Sequence, residues 1–358
     1  MPTDPNPNDQ RAELQRERRR VDFDTYDQTV DELLRRLCFG RNYIAPVYQR
    51  QFRWDTKRQS RLVESVILGI PVPPLFLATT AGSDAKATWE VVDGVQRLLT
   101  LANFAGNTET RTALRLIDNP PLVLHGLEKL RSFEGCKFTD LPEDIRSSLE
   151  DRPLRVVVLN DKSDTKVRFD LFERLNTGGV SLTAQEIREC VYRGPFIDLL
   201  GEIGESGNFR TVVKFTESQA KDGSPADYAL RFFAYLERYK AFEHSVRDFL
   251  RDFVAEASVN PEVERRRAVA AGTFQFLSAC FPNGIRLRRG ITPVNLYEAV
   301  AVGAALALQV NQQLTPVIDP EWITSEQLRQ HTIGATNSNP HVVGRIEYCR
   351  DQFLGNHK

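Results

Sequence analysis

Apolar residues recur at two different spacings along this chain, and the change between them predicts how it is organised. From residue 29 to 37 the apolar positions Val30, Leu33, Leu34 and Leu37 share one face of a helical wheel, which predicts a helix. Residues 43–55 lose that period: Pro46 keeps Ala45 out of the helical region, and the segment reads as an extended arm dense in aromatics and arginine. Phe52 and Trp54 read there first as core residues. Asp55 is placed to cap a helix reaching Leu68, with Leu62, Val66 and Ile67 as the buried stripe and Gly69 as the stop. Runs rich in β-branched and aromatic residues at 75–78, 89–92 and 154–159 predict strands, the last continuous enough for a covered sheet. Between 103 and 152 the pattern is irregular and predicts short helices near 124–130 and 142–149. Another helix is expected over 165–175, and from Pro195 the spacing is helical throughout, including 228–239, 246–255, 263–276 and 294–309. The expected fold class is α+β, a small mixed sheet with helices followed by an all-α region. Three segments follow: a disordered or frayed charged arm at 1–21, an α+β domain at 22–194 and a helical domain at 195–358.

The two periods meet most sharply in Thr88-Trp89-Glu90-Val91-Val92-Asp93-Gly94-Val95-Gln96-Arg97-Leu98-Leu99-Thr100-Leu101, where a strand pattern becomes a helical one across Asp93-Gly94. A helix N-terminus offers unpaired amides and partial positive charge, and Gly94 lets a ligand approach the main chain. Arg97, one turn in, can grip a phosphate or carboxylate through two parallel hydrogen bonds. The plainer alternative makes Asp93 an N-cap and Gly94 a turn residue. Neither G-x-x-x-x-G-K-[ST] nor G-x-G-x-x-G is present here. Further on, Asn176-Thr177-Gly178-Gly179 ends one helix and Thr183 with Glu186 suits a capping box for the next. Arg174, Asn176, Glu186 and Arg188 make a polar set that can line a ligand mouth at such a corner.

Composition narrows the chemistry. A formal charge of -1 over 358 residues argues against a uniformly basic nucleic-acid coat, leaving local clusters such as Arg265-Arg266-Arg267 and Arg286, Arg288 and Arg289 as phosphate contacts or, more commonly, as charged helix faces. Five cysteines, far apart and without C-x-x-C, indicate neither a disulfide framework nor a thiolate zinc site. His331 and His341 lack the acidic neighbours of a metal site. The longest apolar run, 299–308, is too short to span a bilayer, so a cytoplasmic protein is expected.

Three ordered blocks carry a resemblance: Tyr48-Gln49-Arg50-Gln51-Phe52-Arg53-Trp54, then Val92-Asp93-Gly94-Val95-Gln96-Arg97-Leu98, then Phe172-Glu173-Arg174-Leu175-Asn176-Thr177-Gly178-Gly179 with Leu182, Thr183 and Glu186. Together they resemble the N-terminal domain of GmrSD-type (type IV) restriction endonucleases over residues 22–194. The family motif reads Asp-Gly-Gln-Gln-Arg, and Val95 stands in place of its first glutamine. The resemblance implies a ParB/sulfiredoxin-like fold, nucleotide binding with hydrolysis, and a part in phage defence. It looks like a member with this domain and a helical region, without the HNH nuclease of longer relatives.

On this basis the expected cofactor is a nucleoside triphosphate with Mg²⁺. Gly94 and Arg97 would hold phosphate, and Asp93 would either cap the helix or hold a Mg²⁺-bound water. Gln96 would orient water, Arg50 would neutralise developing charge, and Asn176 would face sugar or phosphate, with Tyr48 and Arg174 completing the nucleotide contacts. Expected partners are the nucleotide and DNA, with a partner nuclease subunit or a second copy, and no membrane. Two rivals stay open: a ParB-like nuclease with a divalent metal on Asp93 and Glu186, and a non-catalytic DNA- or protein-binding adaptor.

Overall fold

The computed structural model describes residues 10–12, 14–15, 22–44, 54–80, 88–160, 171, 174, 183–286, 290–334 and 336–355. Contacts divide the chain into two compact units, Met1–Leu182 and Thr183–Lys358.

The first unit is built on a mixed five-stranded sheet. Strand β1 (Phe23–Thr29) leads into helix α1 (Val30–Cys38), which is capped by the Thr29 side chain and buries the four expected apolar residues. Strand β2 (Asn42–Tyr43) follows, then helix α2 (Thr56–Leu68), whose Asp55 cap accepts from the Arg58 amide at 2.7 Å and whose stop, Gly69, is left-handed at φ 73. The buried residues of α2 are Gln59, Ser60, Leu62, Val63, Glu64 and Val66, so Ile67 belongs to its edge rather than to the stripe. Strands β3 (Leu75–Thr80) and β4 (Thr88–Asp93) precede helix α3 (Val95–Ala105). Helices α4 (Thr108–Ala113) and α5 (Glu143–Glu150) then lead to strand β5 (Pro153–Leu159).

The strand order is β1-β5-β3-β4-β2. Strands β1 and β5 are antiparallel, β5 and β3 parallel, β3 and β4 antiparallel, and β4 and β2 parallel. Periodicity did not signal β1 because its first five residues are exposed. It is a strand because it pairs with β5, reinforced by Arg155 on Asp27 at 2.7 Å and Asn160 on Asp24 at 3.0 Å.

The helix expected over 124–130 is absent. Glu64 accepts from the amides of Glu128 (3.2 Å), Lys129 (2.7 Å) and Leu130 (2.8 Å), and Glu134 accepts from those of Gly126 (2.9 Å) and Leu127 (3.2 Å). Glu64 thus takes amides that a helix would have bonded internally, and Glu134 takes two from what would have been its first turn. The helix expected over 165–175 lies almost wholly outside the described residues.

The second unit is helical, as its spacing predicted. It comprises α6 (Ala184–Val191), α7 (Pro195–Glu205), α8 (Gly207–Val212), α9 (Ser224–Arg238), α10 (Val246–Val259), α11 (Val263–Cys280), α12 (Val294–Val310), α13 (Glu326–Thr332) and α14 (Asn339–Phe353). Its core is aromatic, with Phe196, Phe209, Phe232, Phe233, Phe274 and Tyr297 all buried. Helices α12 and α14 approach so closely that a Cβ at Gly303 would lie 2.6 Å from Cβ of Cys349. The Arg265–Arg267 cluster is neutralised within the unit: Arg265 meets Glu262, Arg266 forks onto Glu237 at 2.9 Å, and Arg267 meets Glu202 at 2.8 Å. Arg265 and Arg267 thus sit as ion-paired positions on a charged helix face, whereas Arg266 is buried.

Candidate functional site

The corner between β4 and α3 is made by one backbone choice. Strand β4 ends at Asp93, Gly94 turns the chain at φ 96, and α3 begins at Val95. A glycine adopts that left-handed conformation without steric cost. Here it also answers a packing demand, because an added Cβ would lie 2.3 Å from Cδ2 of Leu75 and 3.2 Å from Nη2 of Arg97. The cap of α3 is Gly94 itself, with no side-chain cap bond, so Asp93 is the last strand residue and not the helix cap. The first-turn amides of α3 therefore receive no side-chain cap, the state in which a helix N-terminus attracts anions.

Arg97 does not reach outward. Its Nη2 donates to Asp93 Oδ2 and its Nη1 to the carbonyl of Pro73, and it is only 9% exposed. Burial lowers the Arg97 pKa and the Asp93 carboxylate raises it, for a net decrease, yet a guanidinium remains charged at any physiological pH. The accessible member of the pair is Asp93, whose side chain keeps 35% of its exposure. The corner thus presents a carboxylate backed by a buried cation, rather than a bare arginine.

Gln96 joins the first two motif blocks. Its Oε1 accepts from the Trp54 amide at 3.3 Å, while Gln59 Nε2 donates to the Trp54 carbonyl at 2.8 Å. Both polar groups of the Trp54 backbone are thereby anchored, and the Arg58 guanidinium lies over the half-buried Trp54 ring at 4.7 Å. The carbonyl with which Gln96 would orient a water is spent on this tie.

Of the remaining expected contacts, Tyr48, Arg50 and Asn176 lie outside the described residues, as does Phe52, and Arg174 is an exposed helical position. Glu186 falls on α6, its side chain outside the described set, and belongs to the second unit whereas Asp93 belongs to the first. Thr183 spends its hydroxyl on the Asp222 carbonyl at 3.3 Å. Arg188 lines no mouth: it is buried, with Nη1 on Asp227 Oδ1 at 2.7 Å. The Nδ1 atoms of His331 and His341 lie 3.2 Å apart, and among the described residues no group of three or more His, Cys, Asp or Glu could hold a metal.

Two contributors escaped the sequence reading. Pro73 matters through its carbonyl and Leu75 by filling the space beside Gly94.

The comparisons with known proteins bear on the same stretch. No curated protein and no solved structure matches the chain. Residues 31–193 match the family model of the GmrSD restriction endonuclease, N-terminal domain, a span that includes Trp54, the β4–α3 corner and α6. The segment 31–193 thus belongs to the GmrSD N-terminal domain family, and the chain carries a restriction-endonuclease-related domain.

Proposed function

We propose that this chain binds a nucleoside triphosphate with Mg²⁺ at the β4–α3 corner and hydrolyses it, as part of a restriction system in which nucleotide state is coupled to DNA or partner binding. The observation that carries the reading is the half-exposed Asp93 carboxylate, oriented by buried Arg97 beside an uncapped helix N-terminus. Mg²⁺ characteristically takes one or two carboxylates and completes its shell with phosphate oxygens and waters. A single Asp93 fits a metal that arrives with its nucleotide, and such an ion would supply positive charge to the polyphosphate.

In this reading Arg97 positions Asp93, Gly94 makes the turn that sets Asp93 at the N-terminus of α3, and Gln96 holds the Trp54 backbone near the corner. Water orientation by Gln96 requires its bond to Trp54 to open. Tyr48, Arg50, Arg174 and Asn176 remain the proposed nucleotide contacts.

The adaptor reading is favoured by one specific observation: Arg97 is closed onto Asp93 and Pro73. A thermal-shift titration with each of the four ribonucleoside triphosphates and Mg²⁺, paired with phosphate release, separates the two. Nucleotide binding predicts that at least one triphosphate raises Tm, through a stabilisation of about 2.7 kcal/mol at a hundredfold excess over Kd. Asp93→Asn, which keeps an acceptor for Arg97, should remove the Mg²⁺-dependent part of that shift. Stability unmoved by all four would leave the adaptor.

A further inference from the structure

A second surface lies at the other end of β4. Counting about 3.3 Å per residue, the start of this strand is about 17 Å from Asp93. Arg41 sits beside it, because β2 pairs Asn42 with Trp89 and the Arg41 carbonyl accepts from the Trp89 amide at 3.0 Å. Tyr26 stacks on Trp89 with centroids 5.3 Å apart, and the Arg36 guanidinium lies 4.2 Å from the Trp89 ring centre. Trp89 is therefore occupied by its own chain, and the aromatic face left open nearby is Phe39. It is 69% exposed and borders an open concavity of about 160 Å³ lined by Arg35, Arg36, Phe39 and Arg41.

Helix-end chemistry explains part of this. Arg35 and Arg36 occupy the last turn of α1, where cations complement the negative helix end, and Arg35 also pairs with Glu32. It does not explain Arg41, which lies beyond the helix and forms no ion pair among the described residues, nor an aromatic ring left in water. The concavity is too small to bury a whole free ligand, which needs about 300 Å³ or more. It suits one unit of a polymer whose neighbours run over open surface. A planar face beside guanidinium groups complements a base and its phosphate.

We infer that this patch binds single-stranded nucleic acid, one base stacking on Phe39 and adjoining phosphates meeting Arg41 and Arg35. The assignment is independent of the nucleotide reading, since it uses none of the residues of the Asp93 corner.

Fluorescence anisotropy of a labelled oligothymidylate, with a duplex of equal length as comparator, tests it on the full chain. The single strand should bind more tightly than the duplex and weaken steeply as salt rises. Phe39→Ala should weaken binding by about five- to a hundredfold, the range for one lost base stack. Arg41→Glu should weaken it and flatten the salt dependence. Both positions are exposed, so unchanged melting curves should accompany these losses, and the triphosphate thermal shift should be unaffected. Wild-type affinity in both variants, equal affinity for duplex and single strand, or no binding at low salt would each overturn the inference.

Discussion

Gly94 is held to glycine by two independent demands. Its left-handed φ of 96 disfavours any L side chain, and the space where a Cβ would sit is filled by Leu75 and Arg97. Gly94→Ala is expected to lower stability by about 1–3 kcal/mol, read as a reduced Tm. An unchanged Tm would show that buried Leu75 can yield. The requirement for glycine was legible, since a strand pattern passed into a helical one at that residue. The direction of Arg97 was not read, although a signal for it existed: Asp93 and Arg97 are opposite charges only four residues apart across the strand-to-helix turn. With the salt bridge formed, the group offered to a ligand is the acid, which moves the proposed chemistry from a direct arginine clamp to a metal-bridged phosphate.

Elements were predicted well where a helix buries its own stripe, as in α1 and the helices of the second unit, and poorly where shape comes from elsewhere. Strand β1 exists through its partner strand, and the 124–130 segment is irregular because Glu64 of α2 claims three of its amides. Burial pushes the Glu64 carboxyl pKa up, but those three donors outweigh it and leave the value below the ordinary 4.5. A carboxyl with a depressed pKa contributes fully above its unfolded value, and that contribution is lost as pH falls through the lower folded one. Glu64→Gln should therefore destabilise the first unit at neutral pH by about 1–3 kcal/mol, the cost of leaving buried amides poorly satisfied. In melting curves from pH 7 to pH 3 the gap between variant and wild type should narrow below pH 4.5. A constant gap would exclude the ionised carboxylate as the clip.

Across the chain as a unit, the family-matched segment and the compact units do not share a boundary: the match runs to residue 193, whereas the second unit begins at Thr183. The reason is a buried ion network. Arg188 of α6 meets Asp227 of α9 at 2.7 Å, Asp227 meets Arg231 at 2.7 Å, and Arg231 meets Glu298 of α12 at 2.8 Å. Glu298 in turn pairs with the fully buried Arg345 of α14. Burial raises the Asp227 pKa, but Arg231 and Arg188 outweigh it and hold the carboxyl ionised. Arg188→Ala leaves Asp227 its second partner, Arg231, but removes a buried charge-assisted hydrogen bond, so it should cost about 1.5–3 kcal/mol. Amide hydrogen exchange over α6 should then lose protection, and retained protection would mean that apolar packing alone holds the helix. Periodicity, turn residues and three motif blocks were sufficient for the α+β-then-helical order, most helices and the family, because each depends on residues close together in the chain. The burial of Arg188, the pairing of β1 and the capture of loop amides by Glu64 emerged only on folding. A buried charge or an edge strand is stabilised by whichever partner packing brings within reach, and those partners stand tens of residues or more than a hundred away, where no local spacing records them.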